Sequence, residues 1–562
     1  MPGTFAEQFQ LVDPILGRAL QGGLPITICT GSGISRRRMP MLSRLIARAF
    51  CQSPPPQRLE DRFNYYSGQY MFAARVKRKT GNDVPDPLPL IVFGTLAPEV
   101  QDDACSPLCQ IYPDVFRDLE DVYGDRRLLL EALQFEEFQR GSPDAAHCYI
   151  AFLLAERMIH EVLTFNWDQL VEIAFENHIA GRLQDFASVI NDGVSWTTWR
   201  EGPGITIVKL HGCASQFPAQ LHNIVLTRAD LLTACAPDSW QEQAMGILFN
   251  NPVLFCGFSG SDYDASIALQ SLVRGRRARN LPDPRHHVAQ PNEVEGICRD
   301  LIGNDDQRHI PLGANDLFAS IYYAWIRSRL VAGIDYGREL PAGRRPFQWS
   351  DSEWARALDR AEKFANTDFP QILDQVIGAP AERWKTELAL LPIWLSHARE
   401  LYLRGEIQHH GKYSNLDFQP EKDLTLVLLG AAVHDLLGNN PHISLQLGHS
   451  DCGVDVLNSQ SGARFQLIPY YGQYPHKAYG AMKAYLRHLQ QNDKDLPSPK
   501  IVILPCNYYV QRAVEKLPPG PILASTFPGV RKLIEQFIPP QRVFETGSFT
   551  ELVSVIKEEL DG

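Results

Sequence analysis

The segment Leu24-Pro25-Ile26-Thr27-Ile28-Cys29-Thr30 is an apolar, β-rich run that breaks at Gly31-Ser32-Gly33-Ile34-Ser35 and passes into a helix-patterned stretch at 41–50. Its length and residue types predict a buried strand. A strand, a glycine turn and a helix in succession make the first βα unit of an α/β domain. Two glycines let the backbone approach another group closely, and the first N–H groups of a helix favour an anion. Glycine turns between strand and helix are also common where nothing binds, so the turn alone leaves both readings open.

The same rhythm returns further along. Residues 145–158 pattern as a helix, 160–165 as a strand and 169–178 as a helix, and 205–210 and 253–258 read as buried strands. Apolar strands alternating with helices predict a doubly wound parallel sheet, ending after a helix at 316–330. The interval 51–140, with its Ser53-Pro54-Pro55-Pro56 and Asn82-Asp83-Val84-Pro85-Asp86-Pro87 breaks, reads as helical insertions joined by loops. A Pro/Gly/Arg-rich linker follows at 339–346, then helix-patterned chain at 351–404, then a second α/β pattern from Leu424. The expected domains are 1–335, a helical connector at 346–420 and a smaller α/β domain at 421–562; 562 residues allow two to four domains at roughly 150 residues each.

Composition narrows the class. With 44% hydrophobic and 21% charged residues the chain is an ordinary globular protein, not disordered, collagenous or coiled-coil as a whole. A net charge of −11 gives no overall electrostatic reason to bind nucleic acid directly. The 11 cysteines are odd in number and scattered, which fits buried thiols in a reducing cytoplasm better than a disulfide framework. The N-terminal residues carry no basic region followed by an apolar run, so no signal peptide is expected. The longest apolar stretches, such as 424–433, are about ten residues and too short to span a membrane.

Five short signatures occur in order: Thr30-Gly31-Ser32-Gly33-Ile34-Ser35 followed by Pro40; Pro143 with Ala146-His147; Thr164-Phe165-Asn166-Trp167-Asp168; Lys209-Leu210-His211-Gly212; and Gly257-Phe258-Ser259-Gly260-Ser261-Asp262. The series resembles the sirtuin (SIR2-like) NAD-binding fold, particularly its bacterial immune branch, over residues 10–330. The resemblance implies a Rossmann-like sheet with helical insertions. It implies that Gly31, Ser32, Gly33 and Ser35 hold the NAD phosphates. Asn166 and Asp168 would contact the nicotinamide ribose and order the reactive region, and His211 would be the catalytic base on a ribose hydroxyl or on water. Gly257, Ser259 and Asp262 would receive the adenosine half.

The residue types suit that chemistry. Breaking the bond from ribose to nicotinamide builds oxocarbenium-like charge while a neutral group departs. The site therefore needs an ordered amide or carboxylate near the ribose and a base with a pKa near neutrality. Other readings stand beside these. Asp168 or Asn166 would also cap the helix starting at Gln169, and Asp262 one starting near Ala265. His147 reads as a packing histidine. His211, at the end of a buried strand, has no evident packing purpose. Arg36-Arg37-Arg38 either adds positive potential near a diphosphate or is a solvated helix start, and the basic run at 274–279 either contacts an anion or subunit or is a solvated loop.

Protein-deacylating sirtuins carry two Cys-x-x-Cys pairs that bind zinc after the catalytic histidine. Here Cys213, Cys235, Cys256, Cys298, Cys452 and Cys506 form no such pair, and Cys105 and Cys109 lie before His211. The resemblance then implies NAD as substrate with no metal, and NAD hydrolysis as a triggered effector of antiphage defence (abortive infection). The 51–140 insertion would act as a lid. A homo-oligomer or a partner such as a defence ATPase or short Argonaute is expected. The alternatives are an NAD-dependent deacylase or ADP-ribosyltransferase, and a nucleotide-binding sensor that leaves NAD intact.

In the C-terminal third, strands at 442–447, 453–457, 464–468 and 500–505 with helices at 424–437 and 477–490 resemble the core of the PD-(D/E)xK nuclease fold, with Asp455 at the first metal-binding acid. The following strand has Gln466-Leu467-Ile468 where that fold needs an acid and a lysine, and one carboxylate is too few for a hard cation. The expectation is a catalytically silent sensor or assembly module, or a generic α/β accessory domain. The aromatic-rich stretch 470–476 reads as a recognition surface or a loop over the core.

Overall fold

The computed structural model describes residues 5–341 except 23–25, 53–54, 57, 157, 179–186, 200–204, 237, 250, 259–268, 271–272, 275–277, 279–284 and 304; residues 350–371; and, further on, 424, 427–428, 431, 443–447, 454–458, 464–469, 500–504 and 543–544. The chain divides into two compact units: Pro25–Ala174 with Arg182–Phe318, and Met1–Leu24 with Phe175–Gly181 and Ala319–Gly562.

The first unit is built on a seven-stranded sheet. Its strands are β1 (Ile26–Thr30), β2 (Ile159–Thr164), β3 (Ala187–Ile190), β4 (Ile205–Lys209), β5 (Val253–Cys256), β6 (His287–Ala289) and β7 (His309–Ile310). They pair in the order β3-β4-β2-β1-β5-β6-β7, every pair parallel. This is the expected doubly wound, Rossmann-like α/β sheet. All residues of β1, β4 and β5 are buried, as strands covered on both faces must be. The chain runs from β1 out through β2, β3 and β4 on one side, then crosses to β5, β6 and β7 on the other. The direction of winding therefore reverses between β1 and β5, and in open parallel sheets ligands bind beyond the C-terminal ends of the strands at such a reversal.

Register brings the central strands to a common level. Thr30 pairs with Thr164 on one side and Cys256 on the other, and Thr164 pairs with Lys209. The loops that begin at Gly31, Phe165, Leu210 and Gly257 thus start side by side. Strands β3, β6 and β7 were not anticipated, and the helix expected at 316–330 extends over Ala314–Glu339.

The interval between β1 and β2 is helical, as expected. Helices such as Leu59–Gln69, Phe72–Thr80 and Tyr112–Tyr123 pack around a hydrophobic core that also takes in Leu170 and, from the chain after β4, Phe217 and Ile224. In it Phe63 packs against Phe50 and Phe93, with ring centroids 5.1 and 4.9 Å away. Burying one such ring stabilises by about 1.5–3 kcal/mol, so the insertion is an ordered body.

In the second unit Gln8 of helix Phe5–Gly22 accepts a 2.8 Å hydrogen bond from Ser320, and Trp354 donates to the Gly337 carbonyl at 3.1 Å. A separate five-stranded sheet comprises β8 (Ile443–Leu447), β9 (Val454–Asn458), β10 (Arg464–Pro469), β11 (Lys500–Leu504) and β12 (Val543–Phe544). Its order is β12-β11-β10-β9-β8; β8, β9 and β10 pair antiparallel, and β10, β11 and β12 parallel. Asp455 is paired in register with Gln446 on β8 and Gln466 on β10. The linker residues 342–349, most of the connector, the helix expected at 477–490 and the stretch 470–476 lie outside the described residues. Among the described residues no helix is long and apolar enough to cross a membrane.

Candidate functional site

A cleft of about 840 Å³ opens where the strand ends meet, within the range of small-molecule sites. Gly31, Ser32, Gly33, Ser35, Asn166, Asp168, His211 and Gly257 all line it. Sequence positions 180 residues apart or more are thus brought to one surface. Ser259 and Asp262 lie outside the described residues, as does most of the basic run at 274–279.

The glycines serve the protein first. The Gly31 N–H donates to the Cys256 carbonyl at 3.0 Å and the Gly33 N–H to the Gly257 carbonyl at 2.9 Å. A Cβ on Gly33 would lie 2.7 Å from the Gly257 oxygen and 2.8 Å from its Cα; one on Gly257, whose φ is +77°, would lie 2.8 Å from the Ile34 nitrogen. The β1 and β5 turns therefore interlock backbone to backbone. The N–H groups of Gly31 and Gly33 thus hold the neighbouring turn. The turn continues as a short 3-10 segment, Ser32–Ile34, and the α-helix Leu42–Phe50 starts only after it.

Asn166 follows β2. Its side-chain N–H groups donate to the Gly31 carbonyl at 3.2 Å and to Ser35 Oγ at 3.3 Å, which leaves the amide oxygen to meet a ligand hydroxyl. Of the two capping alternatives, Asp168 takes that role: its Oδ1 accepts the Leu170 N–H at 3.1 Å, at the start of helix Leu170–His178. It does so while lining the cleft.

His147 sits behind the turn, fully buried at the start of helix Ala145–Ala155. The Asp144 N–H donates to its Nδ1 at 3.1 Å, and its Nε2 lies 3.1 Å from Ser35 Oγ. Burial lowers its pKa despite the opposing pull of Asp168 and Asp144. A neutral ring that accepts at Nδ1 carries its proton on Nε2, so it donates to Ser35. Ser35 Oγ then accepts from both His147 and Asn166 and keeps one proton to give. His147 is the structural histidine its helix position suggested, and the group it supports belongs to the cleft.

His211 follows β4 in a tight turn. Gly212 has φ +79°, its N–H donates to the Lys209 carbonyl at 3.0 Å, and a Cβ there would lie 2.2 Å from the Asn223 oxygen. The imidazole meets the Phe165 ring edge-on at 5.0 Å, and Phe165 in turn packs on Phe258 at 5.6 Å. Burial pushes its pKa down to about 4. Burial among apolar neighbours favours the neutral ring.

Sequence reasoning missed several cleft residues. Cys109, Gln110, Tyr112 and Phe138 wall it from the helical insertion, and Gln290 and Glu293 from the loop after β6. It also passed over Lys209, fully buried beneath the cleft, whose Nζ donates to the Asp168 carbonyl and pairs with Glu172 at 2.8 Å. A lysine closing an otherwise apolar strand was the available signal. Among Arg36, Arg37 and Arg38, Arg36 lines the cleft, and Arg38 Nη2 lies 3.9 Å from Asp144.

Comparison with known families agrees with this geometry. Residues 160–306 match the family model described as a SIR2-like domain. The matched span contains Asn166, Asp168, His211 and Gly257 and supports a sirtuin-like, NAD-related function. A search of the curated proteins finds no match.

Proposed function

We propose that the cleft binds NAD and that the protein is an NAD glycohydrolase, converting NAD and water to nicotinamide, ADP-ribose and a proton. One observation carries the proposal: Asn166, Asp168 and His211 line the same cleft as the interlocked glycine turns, at the switch point of a parallel sheet. The Asn166 amide oxygen meets a ribose hydroxyl, and Asp168 places negative charge where oxocarbenium-like charge develops. His211, neutral at physiological pH, accepts a hydrogen bond from a ribose hydroxyl or from the attacking water. The insertion walls the cleft and the paired zinc cysteines are missing, which favours water over a peptide as acceptor.

The wider role is proposed from the family resemblance: a cytoplasmic, triggered effector of antiphage defence, working as an oligomer or with a partner such as a defence ATPase or short Argonaute. A second reading, an NAD-binding sensor that leaves its ligand intact, is favoured by the low pKa of His211, since a base that weak removes protons poorly.

The test is nicotinamide release from NAD by purified protein, with and without the products of neighbouring genes. Asn166→Ala and His211→Ala should each lower kcat on the order of 100-fold or more. Variants as fast as wild type would refute the site. Wild type that binds NAD under every activating condition and never releases nicotinamide would establish the sensor reading instead.

A further inference from the structure

Lys209 closes β4 with a side chain 1% exposed, and its ammonium is bonded on two sides, to the Asp168 carbonyl and to Glu172 Oε1. A buried ion pair is a poor source of stability, because taking two charges out of water offsets their attraction, and apolar residues of similar volume often serve the fold as well. The arrangement therefore asks for another purpose. Its geometry suggests one: Lys209 is two residues before His211, and the carbonyl it holds belongs to the loop that carries Asn166 and Asp168.

We propose that Lys209 is a positioning residue that sets the spacing between the Asn166–Asp168 loop and the His211 turn. Two backbone bonds already stitch these loops together, from Leu210 N–H to the Thr164 carbonyl at 2.9 Å and from Ala214 N–H to the Trp167 carbonyl at 2.8 Å. Neither holds the carbonyl end of Asp168. The ammonium does, and Glu172, in the first turn of helix Leu170–His178, neutralises it while fixing its direction. One side chain thus ties the loop with the ribose-facing groups to the strand that presents the histidine. Reactions of this kind depend steeply on alignment: a misplacement of about 1 Å can cost on the order of 100-fold in rate.

The kinetic readout rests on the proposed NAD cleavage, so the experiment has two arms. Lys209→Met/Glu172→Leu removes both buried charges at similar volume, keeping the fold while cutting the tie. Its thermal midpoint should stay close to that of wild type, while kcat for nicotinamide release falls on the order of 100-fold. KM for NAD should move less than about threefold, the mark of an interaction realised at the transition state. Amide exchange in peptides spanning 164–169 should quicken. Wild-type kcat and wild-type exchange in the double variant would overturn the proposal. Should that variant fail to fold, Glu172→Gln and Lys209→Met decide it. Glu172→Gln keeps the bond to the Asp168 carbonyl and should lose much less kcat per folded molecule than Lys209→Met; equal losses would mean a merely structural pair. If wild type releases no nicotinamide, the cleavage reading fails by itself, and unchanged exchange at 164–169 in the variants would separately overturn the tie.

Discussion

Where β1 meets β5 the chain leaves side chains out, and where β2 meets β4 it buries polar and charged ones. The first junction is three glycines in mutual backbone contact: Gly31 and Gly33 against Gly257. The second is Lys209, bonded to the Asp168 carbonyl and to Glu172, with His211 packed edge-on against Phe165. Both bring neighbouring loops to the cleft, yet they should fail differently. A steric junction admits no added atom and has nothing to titrate. A polar junction tolerates small shape changes but responds to protonation and to loss of a partner.

The largest effect should come from adding one carbon to the first junction. Gly257→Ala would force a side chain onto a residue at φ +77°, with its Cβ 2.8 Å from the Ile34 nitrogen and 2.9 Å from the Gly31 oxygen. Backbone strain and overpacking together should destabilise the first unit by about 4 kcal/mol. Chemical denaturation of variant and wild type side by side measures it. A variant as stable as wild type would mean that the two turns part easily and that the interlock is incidental.

Acid should act on the second junction. The folded pKa of His211 is depressed to about 4, below its unfolded value. Its contribution is therefore fully present above about pH 6.5, fades as the pH falls toward 4 and changes no further below that. The integrated loss for this group is on the order of 3 kcal/mol, and His147, also depressed by burial, adds in the same direction. The comparison is sharpened by following unfolding from pH 7 to pH 4 in wild type and His211→Gln. The variant should lose distinctly less stability across that window. Parallel curves would place the acid sensitivity elsewhere.

Next in size is His147→Ala, which leaves the Asp144 N–H and Ser35 Oγ short of a buried partner. The cost should be about 2 kcal/mol, from unsatisfied polar groups at a buried helix start. Its effect on the cleft should show as weaker binding of ADP-ribose by titration calorimetry, since Ser35 loses one of the two donors that orient it. Unchanged affinity with lowered stability would confine His147 to the helix.

These contrasts also explain which parts could be read from the residues. β1, β2, β4 and β5 are apolar runs with turn signals at their ends, so their place and kind were visible. β6 and β7 have only three and two residues, too few for a period to emerge, and β3, four residues long like β5, reads Ala-Ser-Val-Ile and not as a continuous apolar run. The glycine signature at 31–33 was visible and its reason was not: the atoms that exclude a side chain belong to Gly257, more than 200 residues away. The place of His147 on its helix marks it as structural, but its partner Ser35 is 112 positions distant. The drop in the His211 pKa depends on Phe165 and the surrounding burial, which only packing decides. Lys209 was conspicuous in an apolar strand, and what it held was not.

The smallest effect tests whether the cost at the first junction belongs to glycine or to its neighbours. Gly246 lies inside helix Trp240–Leu248, and a Cβ built there meets nothing within 4 Å. Alanine at that position restricts the unfolded chain without crowding the folded one, so Gly246→Ala should stabilise by about 0.5–1 kcal/mol. The same substitution should then have opposite signs at two sites of one unit, large and unfavourable at Gly257, small and favourable at Gly246. Thermal unfolding of the two single variants checks this. If Gly246→Ala also destabilised, the helix would be holding glycine for a reason other than space, and the contrast between the junctions would have to rest on Gly31, Gly33 and Gly257 alone.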